Sequence, residues 1–239
     1  MSRFVIVLML IFFKIESWGF QLQKVIGDND LLVVSADAGN LQERLRPLVD
    51  AFGKMTNGCT ATHLGGGYVI TAGHCFWAGD NVTENEDCAD TAIEWGYREG
   101  LQPYLVSQCE KVIAAQQNGT NDFALLKVSP IPTAAIPPDL DRMAAIGDTI
   151  TIFSHPEEMT LRWSGLCGIE REQHPDLPQG AFHHKCDTNP GSSGASVINY
   201  LSLKVVGIHN GGTSTDGGMN YGTKIMVTPL YDYLKNVGF

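Results

Sequence analysis

A succession of short, largely apolar or β-branched runs, each bounded by Gly, Pro, Asn or Asp, commits this chain to strands rather than long helices. The runs lie around Cys59 to His63, Tyr68 to Thr71, Ala92 to Tyr97, Glu110 to Ala114, Phe123 to Val128, Thr149 to Phe153, Leu161 to Gly168, Ser196 to Asn199, Lys204 to His209 and Gly222 to Val227. The fold class expected is therefore all-β. The stretch from Ser129-Pro130-Ile131-Pro132 to Pro137-Pro138 is a poor internal strand, because proline removes ladder donors, and it reads as a crossing over 129–140. Pro229 to Leu234 reads as a short terminal helix. At 239 residues, with no internal repeat or low-complexity tract, the chain is long enough to bury a substantial core as one unit.

The first residues read differently. Arg3 precedes an apolar run from Phe4 to Phe13 that Lys14 ends, too short to span a bilayer but suited to the core of a secretory signal peptide. Ser17 and Gly19 supply small residues for cleavage before Phe20, so residues 1–19 are expected to be a signal peptide and 20–24 a short pro-segment. All six cysteines fall after that point, and their even number fits an oxidising compartment, extracellular or periplasmic. Zinc is the competing use of cysteine and histidine, and His183-His184-Lys185-Cys186 raises the question. The chain has no C-x-x-C and no H-E-x-x-H, so neither a metal nor a cofactor is expected.

Three segments carry the chemistry: Thr71-Ala72-Gly73-His74-Cys75, Asp122-Phe123-Ala124-Leu125-Leu126 and Pro190-Gly191-Ser192-Ser193-Gly194-Ala195-Ser196. A serine hydroxyl attacks a carbonyl only from a tight turn with donors nearby for the developing oxyanion. Gly191 and Gly194 permit such a turn around Ser193, and the Gly191 and Ser193 N–H groups are the candidate oxyanion donors. His74 follows an apolar run and could serve as base. Asp122 opens the buried run to Val128, where its carboxylate could orient an imidazole while staying ionised. Each segment alone has an ordinary reading, as a turn, a structural histidine or a loop aspartate; together, in this order, they supply nucleophile, base and orienting acid.

With TAGHC, DFALL and GSSGAS in the order His, Asp, Ser, the chain resembles the trypsin-like, chymotrypsin-fold serine peptidases over nearly its whole length after the leader. It is most similar to the bacterial glutamyl endopeptidase branch, which also reads TAGHC and carries asparagine or serine before the nucleophile; Val25-Ile26-Gly27-Asp28-Asn29-Asp30 resembles that branch's mature start. The resemblance implies two antiparallel Greek-key barrels, the first about 25–128 and the second with its helix about 141–239, and a catalytic cleft between them. It also implies disulfides Cys59–Cys75, Cys88–Cys109 and Cys167–Cys186. Ser192 stands where digestive trypsins carry the aspartate that pairs with a freed N-terminus, so activation by that ion pair is not expected.

The resemblance also implies substrate-binding residues: Thr188 and His209 against an acidic side chain, and Asn210, Gly211 and Gly212 as an open strand edge for the substrate backbone. Asp187 keeps an alternative open, since it resembles the pocket-floor charge with which trypsins select Lys or Arg. A catalytically silent homologue acting as a binding protein is the other alternative. The 16 basic and 26 acidic residues give a net charge of −10, which disfavours nucleic acid and anionic membranes as partners. Protein or peptide substrates, and action as a monomer, are the expectation. Asn81-Val82-Thr83 and Asn118-Gly119-Thr120 fit the N-glycosylation sequence.

Overall fold

The computed structural model describes residues 25–119, 121–171, 180–212 and 218–239; the expected signal peptide, pro-segment and Thr120 lie outside them. In chain order the strands are β1 Leu32–Val33, β2 Phe52–Met55, β3 Thr60–Gly65, β4 Tyr68–Thr71, β5 Thr83–Glu86, β6 Ala92–Trp95, β7 Leu105–Gln117 and β8 Asp122–Ser129. After the crossing come β9 Thr149–Ser154, β10 Arg162–Arg171, β11 Ala181–His184, β12 Ser196–Asn199, β13 Val205–Gly212 and β14 Asn220–Lys224, then helix α1 Leu230–Asn236.

Two rings of strands close. In the first the order is β7-β6-β2-β3-β4-β8, with β8 pairing back to β7 and β5 added on β7. In the second it is β10-β11-β14-β13-β12-β9, with β9 pairing back to β10. In each ring three successive strands are neighbours and the next core strand returns beside the first of them, β6 beside β2 and β12 beside β9, which is the Greek-key arrangement. Closure leaves no long free edge, and in barrels this small the interior is filled by side chains.

The apolar patterning explains which segments sit deepest. β8 hydrogen-bonds to β4 and β7 on its two sides, and its Phe123, Ala124, Leu125 and Leu126 are all fully buried, so its apolar residues run continuously instead of alternating. The second barrel fills with Ile150, Ile152, Phe182, Val197 and Val206. Between the barrels, Phe52 stacks on Phe153 with ring centroids 4.9 Å apart, and Phe153 stacks on Trp163. Helix α1 buries Leu230 and Leu234 in the first barrel's core, and Phe239 meets Tyr68 edge-on, so the C-terminus straps the barrel that precedes it in sequence.

The first-barrel boundary differs from the expected 25–128. β1 pairs with β10, and the Val34 N–H bonds the Leu161 carbonyl, so the segment entering the structure lies on the second barrel, and the first barrel's strands begin at β2. The crossing contains no strand and is tied at both ends: His63 Nε2 accepts from Gly67 N–H, leaving Nδ1 to donate to Ala134 O, while Asp139 N–H and Pro137 O bond Val205 on β13. The helix runs two residues beyond the expected Leu234. Phe153→Ala should lower unfolding free energy by about 3–5 kcal/mol, because it empties the stack that joins the barrels. Urea denaturation checks this, and a loss below about 1 kcal/mol would contradict it.

Candidate active site

Asp122 opens β8, and its carboxylate holds His74 at two points. Oδ1 accepts the His74 backbone N–H at 2.9 Å and Oδ2 lies 2.7 Å from Nδ1. A carboxylate at Nδ1 makes that nitrogen the proton carrier and leaves Nε2 with its lone pair, as a base requires. The His74 turn is packed without slack: a Cβ on Gly73 would lie 2.0 Å from the Gln116 carbonyl oxygen, so only glycine fits before the histidine. The Cys59–Cys75 disulfide pins the far side of the turn, and the Asn57 amide donates to Cys75 O.

The Ser193 segment comes from the other barrel and lies directly on this turn. Gly194 has φ +85°, and a Cβ there would sit 2.0 Å from Thr71 Oγ1 and 2.4 Å from Thr60 O. Thr60 on β3 is the joint. Its N–H donates to Ser193 O at 2.9 Å, its hydroxyl donates to Gly191 O at 2.8 Å and accepts from His155 N–H, and its carbonyl accepts from Thr71 Oγ1. Gly191 has φ +95°, and among the described residues its N–H makes no backbone hydrogen bond. Ser192 is buried and pairs with the neutral Ser154 hydroxyl, so it offers no charge to an incoming N-terminus.

Asn210 closes the constellation. The β13–β14 register passes from His209↔Gly222 to Gly211↔Tyr221, leaving Asn210 as the extra residue of a bulge. The bulge lets Asn210 reach three ways: its amide donates to Asp122 O at 2.8 Å, its side-chain oxygen accepts from Thr223 Oγ1, and its backbone carbonyl lies 3.4 Å from Ser193 Oγ. Asp122, His74 and Ser193 are thus gathered at one place, from two barrels. β12 pairs with β13 only as far as Ile208, so among the described residues the edge at Asn210, Gly211 and Gly212 that faces the serine loop carries no strand.

Around this cluster sit the expected specificity residues. Thr188 and His209 are fully buried, and among the described residues Thr188 Oγ1 and His209 Nε2 have no hydrogen-bond partner. Asp187 turns elsewhere: its two oxygens accept the Ile26 and Asp30 N–H groups, each at 2.7 Å. That engagement with the entering segment argues against Asp187 as a pocket-floor charge. The disulfides are Cys59–Cys75, Cys88–Cys109 and Cys167–Cys186. Among the described residues the one group with metal-ligand types is Cys59, His74 and Cys75, whose two sulfurs are bonded to each other. In His183-His184-Lys185-Cys186, the cysteine is likewise in a disulfide and His184 hydrogen-bonds His209. Thr60 and His184 carried no motif that singled them out as partners of the site; both act through contacts remote in sequence.

Burial pushes four histidines toward the neutral form: His63 to a lesser degree, His155 down to about 4, His184 to about 3 with help from His183, and His209 well below 6.5 with help from His184 and His74. The unfolded chain therefore binds these protons first, near pH 6.5, while in the folded protein His155 resists its proton to about pH 4, His184 to about 3, and His209 to well below 6.5. Their stabilisation is complete above 6.5 and is lost as pH falls, with a slope of up to about 1.4 kcal/mol per pH unit for each ring. Urea midpoints at pH 7 and pH 5 should show the drop, and His155→Gln should flatten it; a midpoint that rises on acidification would contradict it. Gly194→Ala should abolish most peptidase turnover, since its Cβ displaces the serine loop from Thr71; near-wild-type turnover by a folded variant would refute that reading.

The sequence profile of the trypsin-like peptidase domain matches residues 59–208. Among solved structures, a Glu endopeptidase determined in complex with MPD superposes with a TM-score of 0.63 at 20% identity, covering 89% of this chain and 98% of its own. A serine endoprotease from Yersinia pestis superposes with a TM-score of 0.56 at 17% identity, covering 81% of this chain and 66% of its own. No curated protein matches the sequence.

Proposed function

The chain belongs to the trypsin-like serine peptidases, and from that premise we propose that it is a secreted endopeptidase working through His74, Asp122 and Ser193, with acidic residues preferred before the scissile bond. The observation that carries this is the two-point hold of Asp122 on His74, within a hydrogen-bonded frame that also contains Ser193. His74 Nε2 takes the Ser193 proton as Oγ attacks the peptide carbonyl carbon. Asp122 keeps the proton on Nδ1 and stabilises the imidazolium that forms.

The negative charge then gathers on the substrate oxygen. The Gly191 and Ser193 N–H groups are its donors in this reading, and the Thr60 bond to Gly191 O supports the orientation of the peptide that follows. Collapse of the tetrahedral species expels the amine, which receives the proton from His74. Water, deprotonated by the same imidazole, then cleaves the acyl-enzyme. Substrate is a protein or peptide lying along the open edge at Asn210 to Gly212.

Acidic preference rests on two buried polar groups, Thr188 Oγ1 and His209 Nε2, that have no hydrogen-bond partner among the described residues. Such groups cost free energy until an acceptor arrives, and a carboxylate is the strongest acceptor a side chain offers. The engagement of Asp187 by Ile26 and Asp30 removes the main argument for Lys or Arg. Export is supported by the leader sequence and the three disulfides; release of Val25 by removal of 20–24 completes the proposed maturation.

Ser193→Ala should cut turnover by several orders of magnitude with the fold intact. A serine-directed phosphonate should label wild type at Ser193, and a peptide library should show cleavage after Glu or Asp. Retained activity in the variant would discard the nucleophile, and predominant cleavage after Lys or Arg would discard the acidic preference.

A further inference from the structure

Behind His209 lies a second fully buried imidazole, His184 of β11, with Nε2 3.1 Å from His209 Nδ1 and ring centroids 5.2 Å apart. The protons on this pair follow from a backbone group that has no choice. Cys186 N–H donates to His184 Nδ1 at 3.2 Å, so Nδ1 must carry a lone pair. A neutral imidazole has one N–H, which then sits on His184 Nε2 and can only donate to His209 Nδ1. His209 Nδ1 is thereby an acceptor, and its own proton must be on Nε2. That atom is buried and has no hydrogen-bond partner among the described residues.

We infer that His184 is a positioning residue for specificity: relaying the Cys186 N–H through its ring, it locks His209 as an Nε2–H donor reserved for a side-chain oxygen of the substrate. This rests on the assignment of His209 to the specificity site, made above, and adds the residue that sets its proton. The groups around the pair agree. His183 and His74 both oppose a positive charge on these rings, as burial does, while the Tyr221 carbonyl favours charge on His209 without closing a hydrogen bond to Nε2. A neutral ring has one donor to place, so its tautomer decides between an attractive contact and lone-pair repulsion against a substrate oxygen. The Cys167–Cys186 disulfide holds the peptide that starts the relay, which ties this bridge to substrate choice as well as to stability.

Two measurements test it. In the mature enzyme as proposed above, starting at Val25, nitrogen NMR of histidine-labelled protein at neutral pH, assigned with His184→Phe and His209→Gln, should show both rings protonated on Nε2; an Nδ1 proton on either ring, or a doubly protonated ring, would overturn the inference whatever the enzyme prefers to cleave. In the second, His184→Phe keeps the ring but loses both hydrogen bonds. It should lower kcat/KM for a peptide with Glu before the scissile bond by about 10- to 100-fold, chiefly through KM, and leave the rate of phosphonate labelling within about 3-fold of wild type. His184→Gln, whose amide nitrogen can reach the place of Nε2, should recover most of the loss. If His184→Phe keeps the wild-type ratio of Glu to Ala cleavage while labelling normally, the positioning role is wrong. If wild type itself has no acidic preference, the reading of the substrate fails, and the NMR result still decides the tautomers.

Discussion

Thr60 is the residue on which the geometry of the site depends. The chemistry needs groups from two separately closed barrels to agree within tenths of an ångström, and apolar packing such as the Phe52–Phe153 stack is not directional enough to secure that. Thr60 supplies direction. Through its N–H, hydroxyl and carbonyl it bonds Ser193 O, Gly191 O, His155 N–H and Thr71 Oγ1, joining the serine loop, the start of the segment after β9 and the strand leading to His74. Gly194 makes the approach possible, since any side chain there would collide with Thr71.

Asn210 performs the matching task from the second barrel. One bulged residue holds the Asp122 backbone and lies against Ser193 Oγ, so Asp122 and Ser193 share a neighbour although they lie 71 positions apart. The bulge lies just beyond the last β12 pairing at Ile208, beside the serine loop. The contacts to Asp122 and Ser193 and the edge proposed for substrate thus meet at the same local irregularity of β13.

Much of this was legible in the residues. β4 and β8 carry continuous apolar runs, and the His, Asp and Ser segments are short, local and chemically distinctive. Strands with weaker patterns escaped: β2 reads Phe-Gly-Lys-Met, β5 reads Thr-Glu-Asn-Glu, β11 ends in two histidines, and β1 is a two-residue pairing. Their conformation comes from neighbours in the sheet, because tertiary pairing overrides weak local preference. The same limit applied at the site. Nothing local in Cys-Thr-Ala-Thr-His identifies Thr60 as a joint, and Asp187 resembled a pocket charge until its contacts with Ile26 and Asp30 were visible. Partners far along the chain are set by topology, which a residue pattern reports only indirectly.

The measurement that bears most directly on this account compares Thr60→Ser with Thr60→Val by kcat/KM, with circular dichroism to establish folding. Serine keeps the hydroxyl and valine keeps the shape. The account predicts that the serine variant stays within a few-fold of wild type while folded valine variant loses about 100-fold, because Gly191 O and His155 N–H lose their shared partner. A folded Thr60→Val enzyme as active as wild type would contradict it.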